Sequence, residues 1–104
     1  MKKLSAFLWL CAIAAVALAA EQVVEQKDKA FSSKAITVKV GDAVEFKNLD
    51  AFNHNVFSLS DVKSFDLGSF PQGQSKKVVF DKPGTVEIEC AIHPEMKMTI
   101  EVKK

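Results

Sequence analysis

Nine residues near the C-terminus, Cys90-Ala91-Ile92-His93-Pro94-Glu95-Met96-Lys97-Met98, offer a thiolate, an imidazole and two thioethers. Soft sulfur donors combined with imidazole form a set that suits copper in both of its oxidation states. The only other histidine stands far upstream, in Asn53-His54-Asn55-Val56. The expectation is that His54, Cys90, His93 and one methionine close around a single copper ion. Zinc competes for such donors, but a structural zinc site takes four strong ligands, usually with more than one cysteine. Three strong donors and a thioether fit copper better.

Taken singly, each residue has an ordinary explanation. An inward cysteine on a strand is commonly a small core residue, a histidine in a polar loop is surface, and a methionine in a terminal strand fills the core. The joint pattern, Cys-x2-His-x2-Met in a chain with one further histidine, is much rarer.

The elements that must hold these residues read as strands. Ile36, Val38 and Val40 alternate with Thr37 and Lys39, the period-two signature of a half-buried strand. After the turn Gly41-Asp42, Val44 and Phe46 alternate with Glu45 and Lys47. Val23-Val24 opens a short first strand, and Lys27 to Lys34 reads as a loop anchored by Phe31. Phe52 to Leu59 is a short, irregular strand. Ser60 to Gly73, with Gly68, Pro71 and Gly73, reads as a loop. Val78 to Phe80 forms another strand, ended by Asp81-Lys82-Pro83-Gly84. Val86, Ile88 and Cys90 share one face of the next, and Met98, Ile100 and Val102 share one face of the last. About seven to eight short strands with regular turns predict an all-β sandwich or small barrel. Cys90 then ends its strand on the buried face, and His93 follows on a loop near solvent.

Three segments together resemble the small blue-copper proteins of the cupredoxin superfamily, amicyanin, pseudoazurin and plastocyanin among them. These are Asn53-His54-Asn55-Val56, Pro83-Gly84-Thr85-Val86 and Cys90-x-x-His93-Pro94-x-Met96, with Ile36 to Asp42 extending the likeness over most of the chain. The resemblance implies a Greek-key β-sandwich with one type 1 copper, held by His54, Cys90 and His93 with a long axial methionine. The His-x2-Met gap to Met96 is similar to that of amicyanin. Met98, at the longer gap of plastocyanin and pseudoazurin, is the alternative axial ligand and otherwise a core residue. Asn55 resembles the family's asparagine that ties the two ligand loops together. Ile92 stands where the family often has proline, and its N–H is expected to donate to the Cys90 sulfur. The implied function is single-electron transfer between redox partner proteins that dock transiently near His93, on an apolar face of Phe52, Ala91, Ile92 and Pro94. A copper carrier or chaperone that delivers metal is the alternative. An enzyme is not expected, because a second copper centre needs imidazoles beyond His54 and His93.

Residues 1–20 read as a secretory signal peptide: Lys2-Lys3, an uncharged stretch from Leu4, and small residues up to Ala20. Residues 21–104 are then one copper-binding domain, exported to the periplasm or beyond and not inserted in a membrane. Without Lys2 and Lys3, the 14 basic residues fall to 12 against 13 acids, a net charge near −1. That balance offers no basic face to a nucleic acid, and a monomer is expected. Cys90 is the only cysteine of the exported part, so no internal disulfide is available to it.

Overall fold

A computed structural model describes residues 19–104. The predicted leader falls outside them except for Ala19 and Ala20. Nine strands follow in order: β1 Glu21–Lys27, β2 Ala30–Phe31, β3 Ala35–Lys39, β4 Ala43–Asn48, β5 His54–Ser60, β6 Lys63–Phe70, β7 Ser75–Val79, β8 Gly84–Glu89 and β9 Lys97–Lys103. They form a four-stranded sheet, β2-β1-β4-β7, and a five-stranded sheet, β3-β9-β8-β5-β6. The pairs β1–β4 and β3–β9 are parallel and the others antiparallel. The expected all-β Greek-key sandwich is the fold, with more strands than the seven to eight predicted.

Alternation explains which side chains meet in the middle. Val44 and Phe46 of β4, Val56 of β5, Val86 and Ile88 of β8, and Met98, Ile100 and Val102 of β9 all face the shared core. Phe31 and Phe46 pack edge to face with centroids 6.4 Å apart, and Phe65 and Phe80 do the same at 6.3 Å. Such pairs add specific geometry to the area that each ring buries.

Two segments read as loops are strands. Lys27 to Lys34 is a hairpin: β1 and β2 are joined by Asp28-Lys29, both with positive φ, and Phe31 is buried. Ser60 to Gly73 contains the eight-residue edge strand β6. Its alternation was hidden by a bulge. Opposite β5 the register passes from Asn55↔Ser69 to Phe57↔Asp66, so β6 holds one extra residue there. Gly68 supplies the positive φ the bulge requires, +75°. Phe65 and Leu67 face the core on one side of the bulge, and Phe70 does so on the other. An apolar set at 65, 67 and 70 has no single period.

Candidate metal centre

The ligand residues come from two connections at one end of the sandwich. Asn48 builds the first. Its side chain is fully buried, donates to the carbonyls of Phe52 and Phe70 at 2.8 and 2.9 Å, and accepts the Asp50 N–H at 2.8 Å. The segment from Asn48 to His54 is thereby wound tightly, and it delivers His54, the first residue of β5, into the interior. The second connection follows β8, with Cys90 directly after the strand end. The Met96 N–H donates to the His93 carbonyl at 2.9 Å, closing a turn that returns the chain to β9.

The two connections are tied to each other. Asn55 Oδ1 accepts the Ala91 N–H at 2.7 Å, across 36 positions of sequence.

His54, Cys90 and His93 each present one donor atom, and all three atoms lie within 4.8 Å of one another. The centre of a triangle of that side is at most about 2.8 Å from each corner. Metal–nitrogen and metal–sulfur bonds run about 2.0–2.3 Å, so a contraction of about 0.5–0.8 Å completes the set. His54 and Cys90 are buried and His93 is half-buried. His54 Nδ1 is 3.8 Å from Cys90 Sγ. His93 Nδ1 is buried without a hydrogen-bond partner, a costly position for a ring nitrogen unless something binds there. Phe52 roofs both rings, its centroid 5.3 Å from each, and the two imidazoles are 4.9 Å apart.

The ladder between β8 and β9 separates the two methionines. Ile88 pairs with Met98 and Glu89 with Lys97. One further step in the same register sets Met96 across from Cys90, whereas Met98 lies one inward-facing position deeper. Both methionines are buried. Phe52, Ala91, Ile92 and Pro94 are exposed around His93. Among the described residues no hydrogen bond joins the Ile92 N–H to Cys90; the one polar contact at the sulfur is that of His54.

One participant was not legible in the sequence. Asp50 is buried at 7% exposure, and its Oδ2 lies 2.6 Å from His54 Nε2. The same carboxylate accepts the N–H of Asp28 at 2.7 Å and of Lys29 at 3.1 Å. Burial pushes its pKa up, but the hydrogen bonds from His54 and from the Lys29 and Asp28 amides outweigh that and hold it at about 2. An acid four positions before a histidine is unremarkable outside a helix. Only the winding of residues 48–54 makes the pair.

The family model for copper binding proteins of the plastocyanin/azurin family matches residues 18–103. The chain belongs to this family. As a plastocyanin/azurin-family protein it takes copper as its cofactor, in agreement with the convergent imidazole and thiolate donors. Amicyanin-alpha of Methylorubrum extorquens is 32% identical over 110 residues, covering 96% of this chain and 92% of the relative. The methylamine utilization protein MauL of the same organism is 32% identical over 68 residues, 64% of this chain and 60% of MauL. A reduced Cu(I) amicyanin variant superposes with a TM-score of 0.74 at 29% identity, over 86% of this chain and 88% of that one. The copper-containing nitrite reductase of Thermus scotoductus SA-01 gives 0.76 at 28% identity, over 89% of this chain. This chain spans only 26% of that enzyme.

Proposed function

We propose that this protein carries single electrons on one type 1 copper, which His54, Cys90, His93 and, more weakly, Met96 would hold. The observation that carries this reading is the convergence of two imidazoles and one thiol at the end of a sandwich, with the buried Met96 one step beyond the last β8–β9 pair, Glu89 with Lys97. When bound, copper in such a donor set supplies a one-electron couple whose two states accept similar coordination.

The chain's own residues prepare the site for that couple. Asn48 and Asn55 fix the two connections, so the donors stand close to their final places before metal arrives. Phe52 and the sandwich core exclude water from His54 and Cys90, while the edge of His93 remains reachable. Phe52 and Ile92, at 41% and 49% exposure, form with Ala91 and Pro94 a small apolar face around that edge, with the Lys29 ammonium over the Phe52 ring. A face of this kind suits brief encounters with redox partners rather than a permanent interface. Two histidines in the whole chain leave none for a second copper centre, which favours a carrier over an enzyme.

Export to the periplasm follows from the leader read in residues 1–20. Ala20 donates its N–H to Asp42 Oδ1 at 2.9 Å and accepts the Ala43 N–H at 3.0 Å. Leader removal before Glu21 gives up both bonds, whereas removal one residue earlier keeps them. N-terminal sequencing of the exported protein distinguishes the two.

The deciding experiment is to load the purified domain with Cu(II). Intense thiolate-to-copper absorption, bleached and restored by one electron per protein, is expected. Colourless protein that binds only Cu(I) would replace this reading with a copper-delivery role.

A further inference from the structure

We propose that Asp50 is a positioning residue of the copper centre, holding the His54 ring with Nδ1 toward the metal and biasing the couple toward Cu(II). The proposal rests on His54 being a ligand, as argued above, and adds a role for the carboxylate behind it.

The geometry carries the first half. An ionised carboxylate only accepts, so the 2.6 Å contact requires the hydrogen to sit on His54 Nε2. In the neutral ring, Nδ1 is then the nitrogen with the free lone pair, and it is Nδ1 that faces Cys90 Sγ. The backing hydrogen bond selects the tautomer and sets the ring's rotation before any metal binds. A metal-bound histidine generally needs such a partner on its second nitrogen, and losing it costs about 10–100-fold in metal affinity.

The choice of a carboxylate carries the second half. A backbone carbonyl would fix the ring equally well but would bring no net charge. Asp50 brings a buried negative charge one imidazole away from the metal position. Among the described residues no lysine forms an ion pair with it: the Lys29 ammonium lies over the Phe52 ring, 5.9 Å from its centroid. The remaining partners of the Asp50 carboxylate are the neutral amides of Asp28 and Lys29. Those amides belong to the β1–β2 turn, where two consecutive non-glycine residues hold φ of 55° and 59°. Such backbone is disfavoured for lysine, and the double hydrogen bond to Asp50 offsets that. The turn thus serves as a bracket that keeps the carboxylate in place and dry. A negative charge in a low-dielectric setting interacts more strongly with the divalent than with the monovalent ion.

The test pairs Asp50→Asn with Asp50→Ala. Asn can orient its amide oxygen to keep the acceptor and nearly the same shape, but it removes the charge. In the copper-loaded Asn variant the Cu(I)/Cu(II) equilibrium should move at least tenfold toward Cu(I), about 59 mV for a one-electron couple, with the blue absorption retained. In metal-free protein, nitrogen-15 NMR should show His54 as the Nε2–H tautomer in wild type and in Asp50→Asn. Asp50→Ala should show a mixture, with Cu(II) affinity at least tenfold weaker. An unchanged potential in Asp50→Asn would overturn the charge role. A wild-type ring protonated at Nδ1, or an unmixed tautomer in Asp50→Ala, would overturn the positioning role. His54→Ala separates this proposal from the site reading: if it still gave blue protein, His54 would not be a ligand and the site itself would be misassigned.

Discussion

Met96 and Met98 are both buried sulfurs on the same side of the chain, two rungs and so one inward-facing position apart. In an antiparallel ladder, opposed residues have Cα atoms about 4.5–5.5 Å apart, and the next inward-facing residue lies about 6.7 Å further along. Met98 pairs with Ile88, and the same register carried one step past the last pair, Glu89 with Lys97, brings Met96 level with Cys90. The informative perturbation is leucine. Truncating a buried methionine to alanine costs about 2–5 kcal/mol, against a total stability of roughly 4–13 kcal/mol for a domain of this size. That loss would blur any effect on the metal. Met→Leu keeps the volume and costs less than about 1.5 kcal/mol, so both variants fold. The axial thioether donates more to Cu(II) than to Cu(I), and its removal favours the reduced ion. Met96→Leu should therefore raise the potential by at least about 59 mV, a tenfold shift for one electron, and alter the charge-transfer spectrum. Met98→Leu should leave both unchanged while shifting the urea midpoint by a similar amount. Cyclic voltammetry and absorption spectra of the two variants suffice. A spectrum and potential that respond to Met98→Leu and ignore Met96→Leu would refute the rung argument.

The Ile92 N–H makes no hydrogen bond among the described residues, so a thiolate formed at Cys90 on copper binding is its natural acceptor. Ile92→Pro removes that N–H and should lower the potential with the site still blue; an unchanged potential would mean the amide stays in solvent. Ile92→Glu, at an exposed position and with the backbone N–H kept, places like charges face to face when two molecules meet through the His93 edge. Electron self-exchange measured by NMR should then slow about tenfold at low ionic strength and recover with salt, and an unaffected rate would place docking elsewhere. Asp42 accepts the N–H groups of Lys39 and Ala20 at 2.9 Å each, and these bonds, that of Lys39 foremost, hold its pKa below the ordinary carboxylate value. Its stabilising contribution is complete above the unfolded value of about 3.9 and disappears as pH falls through the lower folded one. Urea unfolding of metal-free Asp42→Asn should accordingly depend less steeply on pH below 4 than wild type does, and equal slopes would remove Asp42 from the acid response.

Local chemistry was enough for much of this protein. Period-two alternation marked β3, β4, β8 and β9, because each buries one face against the opposing sheet and exposes the other. Donor types and short-range spacing were enough to single out Cys90, His93 and the methionines, since metal preference depends on the ligand atoms themselves. His54 was legible as the only remaining imidazole. Other features depended on the tertiary structure. The edge strand β6 was hidden because an extra residue at Gly68 breaks its period, and the bulge exists only relative to β5. The β8–β9 register, a relation that neither strand carries by itself, adds to the His-x2-Met spacing as support for Met96 over Met98. Asp50 became part of the site through Asn48, whose three hydrogen bonds wind the connection so that a carboxylate and an imidazole four residues apart meet at 2.6 Å. Spacing along a chain sets which atoms are available, whereas a contact between loops depends on the path each one takes, and that path is held by bonds to residues far away in sequence.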